Sequence, residues 1–119
     1  MLFRSPRDTN AHGTIFGGVI LSYIDQAGAI AARCNSPDRV VTVALKEVVF
    51  HEPVYVGDLV SFYSTVTKVG SSSIHVHVDV RAERYLEPGK RVHVTEADVI
   101  FVAVDAEGRK VRAIPLPNP

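Results

Sequence analysis

The sequence predicts an α+β fold in which an antiparallel sheet wraps around one long central helix. Three observations lead there. A single apolar segment, from about Phe16 or Gly17 to Arg33, carries its large residues at helical spacing. Four β-rich runs follow it with no second helical stretch among them. Short turns join those runs, and strands joined by short turns lie antiparallel. One face of such a sheet must be covered, and the helix is the only cover this chain offers. At 119 residues the chain suits one core, so it reads as a single domain over residues 1–119.

The elements follow in order. "LFR" at the N-terminus is a candidate extra strand. "SPRDTNAHG" is turn-rich, because Pro6, Asn10 and Gly13 all resist regular structure. In the helix, Ile20, Ile24, Ala27 and Ala31 share one stripe, and the small residues of its second half allow another backbone to approach closely. "NSPD" stops it. "RVVTVALKEVVFHEPV" is the first long strand, rich in β-branched residues and ending near Pro53. The turn "VGD" leads to the strand "LVSFYSTVTKV", and "GSSS" turns the chain again. "IHVHVDVRAERYL" alternates, with Ile74, Val76, Val78 and Val80 on one face and His75, His77, Asp79 and Arg81 on the other. "EPGK" precedes the last long strand, "RVHVTEADVIFVAVD". The tail "RKVRAIPLPNP" is kept irregular by Pro115, Pro117 and Pro119. One helix protects few sheet edges, which argues for association of copies.

Composition narrows the function. Thirteen basic and thirteen acidic residues cancel, so the net basic footprint of a nucleic-acid binder is absent. The lone Cys34 excludes an internal disulfide and any Cys-rich zinc site, and suggests a reducing compartment. The N-terminus lacks a signal-like apolar run, and the longest apolar stretch, Ile15 to Ala32, is interrupted by Ser22, Asp25 and Gln26. The expectation is a cytoplasmic protein with neither membrane nor nucleic acid as partner.

Asp25 is the feature that needs explaining. It is the one formal charge between Asp8 and Arg33. A lone helical Asp usually points to solvent, and Gln26 could mark the same wet face. Yet Asp is a poor helix-interior residue. Leu21 and Ala29, one turn away, are apolar, while Ser22 and Gly28 are small. A half-desolvated carboxylate in such a setting can act as base or nucleophile. Upstream, Gly17 and Gly18 open the helix where its first amides have no intrahelical partner and the dipole is positive. Those amides could hold an oxyanion, or the glycines could simply permit tight packing. Asp25 lies about two turns on, roughly 10–12 Å along the axis, too far to share one carbonyl with its own helix start. A two-fold partner could bring its Asp25 there. Asn10 is either a turn residue or a holder of water beside the carboxylate.

"DTNAHGTIFGGVILSYIDQAGAIAA" resembles the signature of the YciA-like acyl-CoA thioesterases of the hotdog superfamily. The likeness continues through "VVTVALKEVVFHEPVYVGD", "VTKVGSSSI" and "TEADVIFVAVDAEGRKVRAIP", in order and over nearly the whole chain. No one of these motifs is decisive; the ordered set is specific. The resemblance implies a hotdog fold paired into dimers and commonly assembled as a trimer of dimers. It implies metal-free, cofactor-free hydrolysis of acyl-CoA to free acid and coenzyme A. It puts the catalytic acid at Asp25, its Asn at Asn10 and the oxyanion amide at Gly17 or Gly18. Gly70, Ser71 and Ser72 match the turn that contacts CoA, and Lys68 adjoins it. His12 departs from the Asn or small polar residue usual there, and could contact CoA or add a titrating group. The N-terminus is also short before "DTN", which suggests a stunted first strand.

Other readings remain. Arg81, Arg84, Lys90 and Arg91 could meet CoA phosphates or line a solvated edge. His75, His77 and Asp79 lie on one strand face, and His93 lies on a possible neighbouring strand, a potential metal set, although outward positions often carry His without one. Ser22 lacks the G-x-S-x-G surroundings of a serine nucleophile. Cys34 has no evident His partner. An enoyl-thioester hydratase using His12 with Asp25, or a non-catalytic acyl-CoA-binding domain, would fit the same fold.

Overall fold

The computed structural model describes residues 2–4, 15 and 17–116. Its elements are β1 (Leu2–Arg4), the helix α1 (Gly17–Ala32), β2 (Arg39–Phe50), β3 (Leu59–Val69), β4 (Ser73–Glu83) and β5 (Arg91–Val104), with a 3-10 turn at Arg33–Asn35 after α1. The five strands form one antiparallel sheet in the order β1-β3-β4-β5-β2. "LFR" is indeed a strand, three residues long, paired with β3. The segment containing Asn10, His12 and Gly13 lies outside the described residues.

The helix covers one face of the sheet and meets β2, β3, β4 and β5. Ile20, Ile24, Ala27, Gly28 and Ala32 are its buried residues. That stripe is the predicted one with Ala31 rotated to its margin. A Cβ on Gly28 would sit 3.1 Å from the Phe101 ring, so Gly28 is small because the fully buried Phe101 packs against the helix there. In β4 the alternation holds: Ile74, Val76, Val78 and Val80 are buried against α1, and the residues between them face outward.

The two edges of the sheet differ. Short β1 closes one side. On the other, β2 is twelve residues long and, among the described residues, pairs only with β5. Its burial does not alternate, and Val41, Val43, Val49 and Phe50 stay 44–57% exposed. Two irregularities bend it, one between Thr42 and Ala44 and one between Lys46 and Val49, where Glu47 takes a positive φ of 55°. Bulges of this kind re-aim side chains.

The tail is less free than its prolines suggest. Lys110 bridges to Val104, the Ala113 amide donates to the Ser71 carbonyl, and the Ile114 amide donates to the Asn35 carbonyl. Asn35 returns a side-chain bond to the Ile114 carbonyl. These bonds satisfy backbone groups that burial would otherwise leave unpaired. No helix among the described residues is long and apolar enough to cross a membrane.

Candidate active site

Asp25 lies on the third turn of α1, half-buried, where the helix runs beside edge strand β2. Thr42 Oγ1 donates a hydrogen bond to its Oδ1 at 2.5 Å. The contact depends on the bulge. Val43 is the extra residue between Thr42, opposite Phe101, and Ala44, opposite Ile100. The helix supplies the acid and the irregular edge strand supplies the donor that fixes its rotamer. With Oδ1 accepting from Thr42, Oδ2 is the oxygen left to meet a water or substrate.

Thr42 was not legible as a functional residue. In "RVVTVALK" it reads as one more β-branched strand residue, and only the meeting of α1 with β2 gives its hydroxyl a task.

The surroundings of Asp25 are mixed. Ser22 and Gln26, on the outer side of the helix, are exposed, as are Val41 and Val43 on β2. Ile24 and Gly28, on the inner side, are buried. The acid therefore occupies the seam between core and open surface. Among the described residues, the side chain bonded to Asp25 is Thr42. The described histidines lie on β4 and β5 or, for His51, just after β2.

Gly17 and Gly18 begin α1 and are exposed. A Cβ on Gly18 would meet nothing within 4 Å, and one on Gly17 would touch only the Phe50 ring at 3.5 Å. Packing within this chain does not require glycine at Gly18. The start of α1 is thus open at Gly18, as an anion-holding helix start would need to be. The same helix separates Gly17 and Gly18 from Asp25 by about two turns, roughly 10–12 Å along the axis.

The turn after β3 is tightly bonded. The Gly70 amide donates to Ser73, the Ser71 carbonyl accepts from Ala113 and the Ser72 carbonyl accepts from Ala103. Lys68 is exposed and lines an open groove with His75, Lys46 and Thr67. Of the other cations, Arg84 is a structural residue. It donates at 2.8 Å to Asp58, which is 2% exposed, and to the Pro53 carbonyl, and it lies over the Tyr55 ring. Asp58 also accepts the Tyr55 and Tyr85 amides, so this pair anchors two loops. Arg81 reaches Asp79.

The outer face of β4 and β5 carries a second cluster. His77 Nδ1 donates to Asp98 Oδ1 at 2.8 Å, and Asp79, His93 and Glu96 crowd beside it. The hydrogen bond to Asp98, aided by the charges of Asp98, Glu96 and Asp79, holds the His77 imidazole above its ordinary value of 6.5 against the opposing effect of burial. His75 does not join this cluster. Glu96, which the sequence did not single out, does.

Comparison with known proteins agrees with this architecture. The Thioesterase superfamily pattern matches residues 12–88. The acyl-CoA thioester hydrolase YciA of Escherichia coli is 43% identical over 113 residues, covering 93% of this chain and 85% of the relative. A hexameric hotdog-fold thioesterase of Campylobacter jejuni superimposes with a TM-score of 0.90 at 47% identity, over 95% of this chain and 87% of that one. A hexameric broad-specificity acyl-coenzyme A thioesterase, crystallised as a variant with one aspartate replaced by alanine, superimposes at 0.89 and 44% identity, over 99% and 86% of the two chains. On fold and sequence alike, the chain belongs to the Thioesterase superfamily, as a hotdog-fold member of the YciA-like acyl-CoA thioester hydrolases.

Proposed function

We propose that this acyl-CoA thioester hydrolase works as a homo-oligomer whose site is shared by two copies, with Asp25 of one chain facing the Gly17–Gly18 amides of the other. The observation that carries this reading is the Asp25–Thr42 pair at an exposed seam beside a long, apolar, unpartnered edge strand. An edge of that length and hydrophobicity is a hazard in a lone chain. Pairing two β2 edges about a two-fold axis would bury Val41 and Val43 and set the two helices side by side. The related structures described as hexamers support association, and a trimer of such dimers is the assembly we infer.

In this reading Asp25 Oδ2 takes a proton from water, and the water oxygen attacks the thioester carbonyl carbon. Asn10 helps hold that water. The first-turn amide at Gly17 or Gly18 of the second copy receives the negative oxygen of the tetrahedral intermediate. The carbon–sulfur bond then breaks. The CoA sulfur takes up a proton, leaving a carboxylic acid and free CoA. No cofactor takes part in these steps. Thr42 keeps Asp25 in a fixed rotamer and occupies one oxygen, so the other is presented in one direction. His12, Lys68, Gly70, Ser71 and Ser72 contact the CoA moiety: Lys68 by charge, the serine turn by its amides and hydroxyls.

Thiol release from an acyl-CoA, read with DTNB, tests the assignment. Asp25→Asn keeps the shape and the bond from Thr42 but removes the base, and kcat should fall by about 10²–10⁴-fold with CoA binding retained. Unchanged turnover in that variant, or full activity in a strictly monomeric preparation, defeats the reading. Hydration of an enoyl-CoA without thiol release would point instead to a hydratase.

A further inference from the structure

We propose that the outer face of the sheet carries a divalent transition-metal site, of the zinc class, formed by Asp79, His93, Glu96 and His77 and bridging β4 to β5. It stands apart from Asp25, because His77 and Asp79 alternate with the Val76, Val78 and Val80 side chains that pack beneath α1.

The register builds it. His77 on β4 lies opposite Asp98 on β5, and Asp79 lies opposite Glu96. Directly opposed like charges destabilise a strand pair, so a cation between Asp79 and Glu96 would add to the relief that Arg81 and the two histidines give. His93 would face the other side of a regular strand. The irregularity between Val80 and Arg81 makes Val94 an extra residue in β5, so Val94 and Thr95 are buried in succession and His93 emerges beside Glu96. Ligand-capable atoms of Asp79, His93 and Glu96 then lie within 4.8 Å of one another.

Distances and chemistry fit. His93 Nε2 is 2.8 Å from Asp79 Oδ1 and 3.7 Å from Glu96 Oε2, and His77 Nε2 is 3.8 Å from the same Glu96 oxygen. Tetrahedral zinc with bonds of about 2.0–2.2 Å sets its ligands about 3.4 Å apart, between the shortest and longest of these three separations; Asp79, His93 and Glu96 are the mutually close set, and His77 joins it through Glu96. Asp79 Oδ1 and His93 Nε2 pair at 2.8 Å without hydrogen-bond geometry, and both atoms are shut off from solvent. A cation between them would satisfy both. Asp98 binds His77 Nδ1, which leaves Nε2 to face the cluster, the arrangement by which a carboxylate orients a metal-bound imidazole. Arg81 takes Asp79 Oδ2 and leaves Oδ1 for the metal. Three carboxylates against one guanidinium leave the cluster with an excess of negative charge, which favours a cation. Glu96 is half exposed, giving the ion a way in from solvent. Two imidazoles and two carboxylates without thiolate favour zinc over calcium or copper(I).

Calorimetric titration of chelator-stripped, tag-free protein with zinc chloride tests the proposal. Binding of one zinc per chain is expected. Its affinity should fall more than tenfold in His93→Asn and Glu96→Gln, and about tenfold in Asp98→Asn, which removes only the orienting carboxylate. Cys34→Ser should bind as the parent does, since Cys34 is an exposed thiol outside the cluster. Histidine side-chain NMR of the unmodified protein gives a readout that does not depend on variants folding: zinc should shift the His77 and His93 nitrogens and leave His75 unmoved. No saturable binding, binding lost in Cys34→Ser, or zinc shifts confined to other histidines would each overturn the site.

Discussion

Strands β2 and β4 are similar in composition and opposite in behaviour. Both are rich in Val, but β-branched content predicts β2 as a strand and clean alternation predicts β4. In β4 every second residue from Ile74 to Ala82 is buried, and the intervening positions carry His, Asp and Arg. In β2 the valines are not sorted: Val41, Val43 and Val49 are exposed, and two bulges break the ladder. The centre of the sheet is satisfied by its own chain. The edge carries more apolar surface than its own chain can bury, and that surplus lies beside the acid and its threonine. On the proposed reading, unsorted hydrophobicity at the edge marks an interface beside the site, and the regular strand marks the core.

The comparison can be broken most severely at β4. Val78 is fully buried, so Val78→Asp puts an unpaired charge into the core and should cost more than about 4 kcal/mol, read as loss of the cooperative thermal transition. The matched change at the edge, Val43→Asp, should leave a folded chain. Light scattering should find it dissociated, and thiol release should be largely lost. If Val43→Asp instead keeps both assembly and turnover, the edge is not an interface. Thr42→Val sharpens the picture at one atom group: it keeps the β-branched shape and removes only the donor to Asp25. We expect kcat to drop by about tenfold while stability stays within about 0.5 kcal/mol, because the position is exposed and the donor serves the orientation of Asp25.

The smallest effect belongs to the outward face of β4. His77 has a raised folded-state value, so its bond to Asp98 stabilises the metal-free protein at low pH, below the ordinary imidazole value of 6.5. That contribution fades as pH rises through the raised value. The melting temperature of the parent relative to His77→Gln should therefore be highest below pH 6.5 and should shrink as pH rises past the raised value. The site is partly exposed, so solvent screening keeps the difference to a few degrees at most. A difference that grows with pH would contradict the assignment.

Much of this was legible in the chain itself. The helix start at its two glycines, the alternation of β4 and the isolation of Asp25 follow from spacing and chemistry, because each depends on neighbours a few residues away. Three things did not follow. Thr42 has no local mark that separates it from other strand residues. Glu96 and His93 fall on one face only because Val94 is an extra residue in β5, and a strict period of two would separate them. The tail looked irregular, yet its backbone is tied to Ser71 and Asn35, because hydrogen-bond partners far away in sequence are invisible to composition.

The sequence by itself determined the layers of this protein, one apolar helix and strands of period two, since hydrophobic burial and backbone geometry act locally and repeat. It also marked Asp25 as a charge out of place. Only the tertiary structure decided what stands beside that charge and where the second cluster of charges meets. Strand register and bulges are set by packing across the whole sheet, and a shift of one residue moves a side chain to the opposite face.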